Sequence, residues 1–145
     1  MTILSCPEGI YQYIFYTSLF IHPTHIYTGF YYGMNKCGLM GVGLYFTSLN
    51  YWRYPVINSY RRTIDMIVAK SSIAYHLYLS LYTKNKLITT LPISIGSGLY
   101  FIGCYLGNKK YVKTSAFFHC LLHLFVSIGA SLTYRDYYLQ NNIFY

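Results

Sequence analysis

The sequence predicts an all-α fold, a polytopic transmembrane bundle of four to five spans forming one membrane domain over residues 1–145. Three observations predict it. Charged residues make up 10% of the chain and apolar residues 54%, whereas ordinary soluble domains devote about a quarter of their residues to charge. Several uncharged runs reach the roughly 20 residues that cross about 30 Å of hydrocarbon as helix. The basic residues collect in short clusters between those runs, where polytopic proteins place them to fix orientation and meet anionic head groups. With 145 residues there is no room for a second core, and an aromatic content of 21% excludes intrinsic disorder.

The first span covers about residues 9–21 and ends where His22, Pro23 and His25 interrupt the apolar run. It either crosses with a tilt past the proline or lies in the interface, and His22 and His25 are expected at the membrane surface. The second span, 37–52, is CGLMGVGLYFTSLNYW. The loop RYPVINSYRR follows, with Pro55 stopping the helix, Trp52, Tyr54 and Tyr60 as interfacial anchors, and Arg53, Arg61 and Arg62 against lipid head groups. The remaining spans are 63–83, 87–108 and 114–134, separated by KNK and KKYVK. With five spans, Arg53, Arg61, Arg62, Lys109, Lys110 and Lys113 share one face, and Lys36, Lys84, Lys86 and Arg135 the other. The first set is the larger and is expected in the cytosol. A four-span arrangement moves only the N-terminus.

The net charge is +8, but its clustering between apolar runs points to membrane lipids as partners and away from nucleic acid. Cys6, Cys37, Cys104 and Cys120 are too scattered for a zinc knuckle or a disulfide framework and fit a reducing compartment. No small-residue cleavage signal follows the first run, so a cleaved leader is not expected. The fourth span is rich in glycine, and Gly103 and Gly107 stand in GxxxG spacing. Such a seam lets backbones approach closely. It serves either packing within the chain or a homo-oligomer.

Ionisable groups within a span cost about 2.5–3.5 kcal/mol each on insertion scales, which makes them the informative positions. His119 and His123 form HCLLH in the last span. Four residues apart on a helix, they are separated by about 40° and about 6 Å and can converge on one object. Ser115, Ser127 and Ser131 continue that spacing as a polar stripe that must face the bundle interior. In the third span Asp65, Ser72 and His76 share a face, which is expected to meet the stripe, and Lys70 points elsewhere and snorkels to the head groups. Alternation of the spans puts Ser48, Asp65 and His119 at one cytosolic depth. His119 and His123 can offer two nitrogens to zinc, with Asp65 or His76 as a third donor and Ser48 holding the metal-bound water. Zinc would lower the pKa of that water toward about 7 and make a hydroxide for an amide or ester carbonyl. The same residues serve equally as a structural polar seam, each imidazole bonded to a serine, a tyrosine or Asp65.

A Ser near one span end, an Asp near the start of the next and HxxxH in the last span resemble the alkaline ceramidase and progestin-receptor superfamily of membrane hydrolases, at Ser48, Asp65, His119 and His123. The resemblance implies zinc-dependent hydrolysis of a lipid amide. The family has seven spans, and its third zinc histidine, four residues after the serine, corresponds to Trp52 here. The stretch TSLNYWRYPVINSYRRTIDM, residues 47–66, is similar to small multi-pass membrane proteins of large DNA viruses and some protists, which implies a host endomembrane or a virion membrane. The leading expectation is a membrane scaffold or remodelling component with a buried Asp/His seam. The alternatives are a zinc-dependent lipid amide or ester hydrolase, with catalytic Ser48 and Asp65 and metal ligands His119, His123 and His76, and a proton or ion conduit.

Overall fold

The structure is a computed structural model describing residues 4 and 6–142, the last by its backbone alone. Five helices, α1 (Tyr11–Tyr31), α2 (Asn35–Trp52), α3 (Tyr60–Ser80), α4 (Lys86–Asn108) and α5 (Val112–Asn142), account for nearly all of it, with no strand among the described residues. Two of them, α4 and α5, are long and apolar enough to cross a membrane by length and composition. The connections are three to seven residues long, and such short connections make successive helices antiparallel neighbours. Each helix packs on the next, and α5 closes the ring against α1 while also touching α3.

Each predicted span corresponds to a helix, with shifted ends. The largest shift is in α1, where the run expected to stop near residue 21 continues through Pro23 to Tyr31. A proline removes one backbone donor from the helix ladder, here the one that would reach the Leu19 carbonyl, yet the helix continues through it. Two residues on, the Ile21 carbonyl accepts from Thr24 Oγ1 at 2.7 Å, with Ser127 Oγ of α5 3.4 Å away. Helix α3 starts at Tyr60, so Arg61 and Arg62 belong to its first turn. Ser59 caps that turn by accepting from the Arg62 backbone N–H at 3.2 Å. Helix α5 runs eight residues beyond the predicted span, and there Asp136 accepts from Asn85, 3.0 Å from its backbone N–H and 2.7 Å from its side-chain amide.

Close approach depends on glycine at two seams. A Cβ on Gly29 would stand 2.9 Å from the Gly38 backbone nitrogen, so α1 and α2 touch backbone to backbone. Between α4 and α5, a Cβ on Gly103 would meet the Ser115 carbonyl at 3.3 Å and one on Gly107 the Ser115 Oγ at 3.1 Å. Of the two uses expected for the Gly103/Gly107 edge, packing within the chain is the one seen.

Two apolar clusters lie at opposite ends of the bundle. Cys6, Tyr11, Ile14, Tyr51, Trp52 and Ala116 join the starts of α1 and α5 to the end of α2. Cys37, Ala130 and Tyr134, with Tyr75 and Leu79 against them, join the other ends. Between them most buried side chains are polar, with Leu44 and Leu122 among them.

Candidate functional site

The middle layer is built from heptad-like spacing on α1, whose buried residues are Tyr11, Ile14, Ser18, His22, His25 and Gly29. That face meets the α5 stripe. The hydroxyls of Ser18 on α1 and Ser48 on α2 share a hydrogen bond at 3.3 Å, and Ser18 Oγ lies 3.5 Å from His123 Nε2. One turn on, Ser127 Oγ is 2.9 Å from Thr24 Oγ1 and 3.2 Å from His25 Nδ1, and Ser131 pairs with Thr28 at 3.0 Å. The stripe's hydrogen-bond partners come from α1, while Asp65 and His76 of α3 border the same cavities as its residues without bonding to them. Ser115, at the head of the stripe, turns to α4 and donates to the Gly103 carbonyl at 2.7 Å.

Four imidazoles pack edge to face in this layer. Ring centroids are 4.8 Å apart for His22 and His123, 5.3 Å for His22 and His25, and 4.9 Å for His119 and His123. His22 and His25 are 2% and 4% exposed, so the sequence expectation that they sit at the membrane surface is overturned. The continuous helix through Pro23 carries them inward. Neither ring nitrogen of His22 has a hydrogen-bond partner among the described residues. A void of about 40 Å³ borders His22, His25, His76, His123, Ser72 and Ser127, which is too small for a lipid head group.

His76 does lie on the buried face of α3 with Asp65 and Ser72, as the helical spacing predicts. Its Nδ1 is 2.6 Å from the Ser72 carbonyl, which can only accept, so Nδ1 carries the hydrogen. Nε2 is therefore the acceptor for the Tyr134 hydroxyl, with which it forms a short hydrogen bond. Both nitrogens of this expected metal ligand are thus committed. Asp65 is buried and accepts from Thr47 Oγ1 at 3.4 Å.

Asp65 and His119 are brought to one place. With Arg62, Trp52, Tyr100 and Ser115 they line a cavity of about 420 Å³ at the end of the bundle that carries Arg53, Lys109 and Lys110. Ser48 lies away from that cavity, held by Ser18. Trp52, four residues after Ser48, packs its ring against His119, with centroids 4.9 Å apart. Among the described residues no three histidine, cysteine, aspartate or glutamate side chains are grouped to hold a metal ion. The donor set expected for zinc is therefore not brought together among the described residues, and both nitrogens of His76 are used by Ser72 and Tyr134.

The arginines expected at lipid divide in use. Arg61 donates to the Asn50 and Tyr54 carbonyls at 3.3 and 3.2 Å, satisfying the end of α2, whereas Arg53 and Arg62 are exposed. Residues that sequence reasoning missed are Ser18, His22, His25 and Tyr134. The 18/22/25/29 spacing on α1 is the signal that locates the first three. No family model, no curated protein and no solved structure matches the chain.

Proposed function

We propose that all five helices cross a bilayer and that the protein is a non-catalytic membrane scaffold, its buried histidine and serine layer holding the helices in register. The observation that carries this reading is an inverted distribution of polarity. Ser18, Ser48, Ser72, His76 and Thr133 are at most 2% exposed, while Phe20, Phe101 and Leu87 are at least 70% exposed. In water that arrangement leaves apolar surface hydrated and forces polar groups to desolvate; in lipid it is the expected one. Helix α3 falls short in hydropathy because it carries Arg61, Arg62, Asp65 and Lys70, and these stand mostly in its first half, near the basic end. The larger basic set faces the cytosol under the positive-inside rule.

The non-catalytic reading is supported by where the polar atoms go. His76, His25, Ser18, Ser48 and Ser127 are taken up by internal bonds, and a zinc hydrolase lacks its third donor. A conduit would have to pass the cluster of Cys37, Ala130 and Tyr134 that closes the far end.

Membranes bearing the protein are washed with alkaline carbonate, and Lys110→Cys and Lys84→Cys variants are labelled from each side with an impermeant maleimide. Retention in the membrane and labelling from opposite sides are expected; release into the wash, or labelling from one side only, would overturn the five-span reading. Metal analysis of the purified protein beside a His119→Ala/His123→Ala variant tests the non-catalytic part. Equal, near-zero zinc in both is expected, and zinc lost on substitution would revive the hydrolase.

A further inference from the structure

Lys70 stands ten residues into α3, about 15 Å along a helix about 31 Å long, and it is exposed. If α3 spans, as proposed above, this lysine faces hydrocarbon near mid-depth, where insertion is at its most unfavourable. Helical side chains lean toward the N-terminus, so the ammonium is carried toward the basic end. Arg62 is two turns away in that direction, and Asn58, Arg62, Thr63, Met66, Ile67 and Lys70 line one groove of about 310 Å³ on the outer surface.

Among the described residues no carboxylate is within ion-pair distance of either cation. Asp65 borders the inner cavity that Arg62 also reaches but accepts from Thr47, and Asp136 is bound to Asn85 at the other end. Neither the Arg62 guanidinium nor the Lys70 ammonium makes a hydrogen bond or ion pair among the described residues. The floor between them is apolar, with Ile67 60% exposed. Two cations bracketing an apolar strip on a lipid-facing helix match an anionic phospholipid, whose phosphate is charged and whose chain is not.

We propose that this groove binds an anionic phospholipid, its phosphate held between Arg62 and Lys70 and its acyl chain laid along Ile67. The inference rests on α3 spanning the bilayer. Basic residues near a membrane surface each contribute about 1 kcal/mol toward anionic lipid, so two give a preference of roughly tenfold or more over a zwitterionic lipid.

The test measures lipid retained by the full chain in nanodiscs of phosphatidylcholine with and without phosphatidic acid. About tenfold preference for phosphatidic acid is expected, falling toward parity in Lys70→Gln and in Arg62→Gln but unchanged in Lys109→Gln, at the same end. Millimolar inorganic phosphate is expected to leave it intact. Parity in the unaltered protein, preference surviving both substitutions, or displacement by inorganic phosphate would overturn the site. A Lys70→Cys variant in vesicles separates the two readings. Rapid labelling by an impermeant maleimide places α3 outside the bilayer and overturns both, whereas protection without lipid preference overturns only the groove.

Discussion

The His22 ring on α1 lies 4.8 Å from the His123 ring on α5, edge to face, with neither His22 nitrogen hydrogen-bonded among the described residues. This contact joins the first and last helices at the middle of the bundle. It is a packing contact, because the rings meet without exchanging a proton. A buried imidazole with nothing to bond is a destabilising feature that a phenyl ring of similar size would lack.

His22→Phe is accordingly expected to raise stability by about 1–3 kcal/mol, seen as an increase of several degrees in the thermal unfolding midpoint in detergent. His25→Phe should lower it, because the hydrogen bond between His25 and Ser127 is lost. A fall for His22→Phe would show that the imidazole has a partner in the working protein.

The His76–Tyr134 bond makes a different prediction. Tyr134→Phe removes the donor and leaves Nε2 buried and unpaired, at about 1–3 kcal/mol. His76→Phe should be comparable, and the double variant should lose less than the sum of the two. Additive losses in a double-mutant cycle would mean that the pair does not act as a unit.

At the α1–α2 seam, Gly29→Ala drives a methyl group to 2.9 Å from the Gly38 backbone nitrogen. No side chain can swing aside there, so the helices must separate, and a loss of about 1–3 kcal/mol is expected. Gly43→Ala, where nothing lies within 4 Å, should be neutral or slightly stabilising. Equal unfolding midpoints for the two variants would contradict the backbone contact.

Cys6, outside the helices, is buried against Tyr11, Tyr51 and Trp52, and burial pushes its thiol up to about 11 from an ordinary 9.0. Only the thiolate alkylates, so its labelling at pH 8 should run about 100-fold slower than that of a free thiol. The raised value also favours the folded state below pH 9, and that contribution is lost as pH rises from about 9 through 11. Iodoacetamide rates across pH, before and after unfolding, check both. A folded-state rate equal to the unfolded one would contradict the burial.

Much of the candidate site can be seen in the residues alone because helical spacing is a local property. Asp65, Ser72 and His76 fall on one buried face as their seven- and four-residue intervals require. Pro23 suggests a break after residue 21, whereas the helix continues through it, packed on α2 and α5, and carries His22 and His25 inward. Packing across that turn comes from far away in sequence: Ser127 Oγ lies 2.9 Å from Thr24 Oγ1, 103 residues apart.

From the sequence alone came the helical class, the five apolar runs, the polar stripe on α5 and the basic clusters that separate the runs, all consequences of composition and period. Which helix the stripe faces, that Tyr134 takes His76, and that Trp52 rather than a metal ligand lies on His119 were decided by packing. Periodicity assigns a residue to a side of its own helix. Only the close approach permitted by Gly29, Gly38 and Gly103 determines which other helix that side meets.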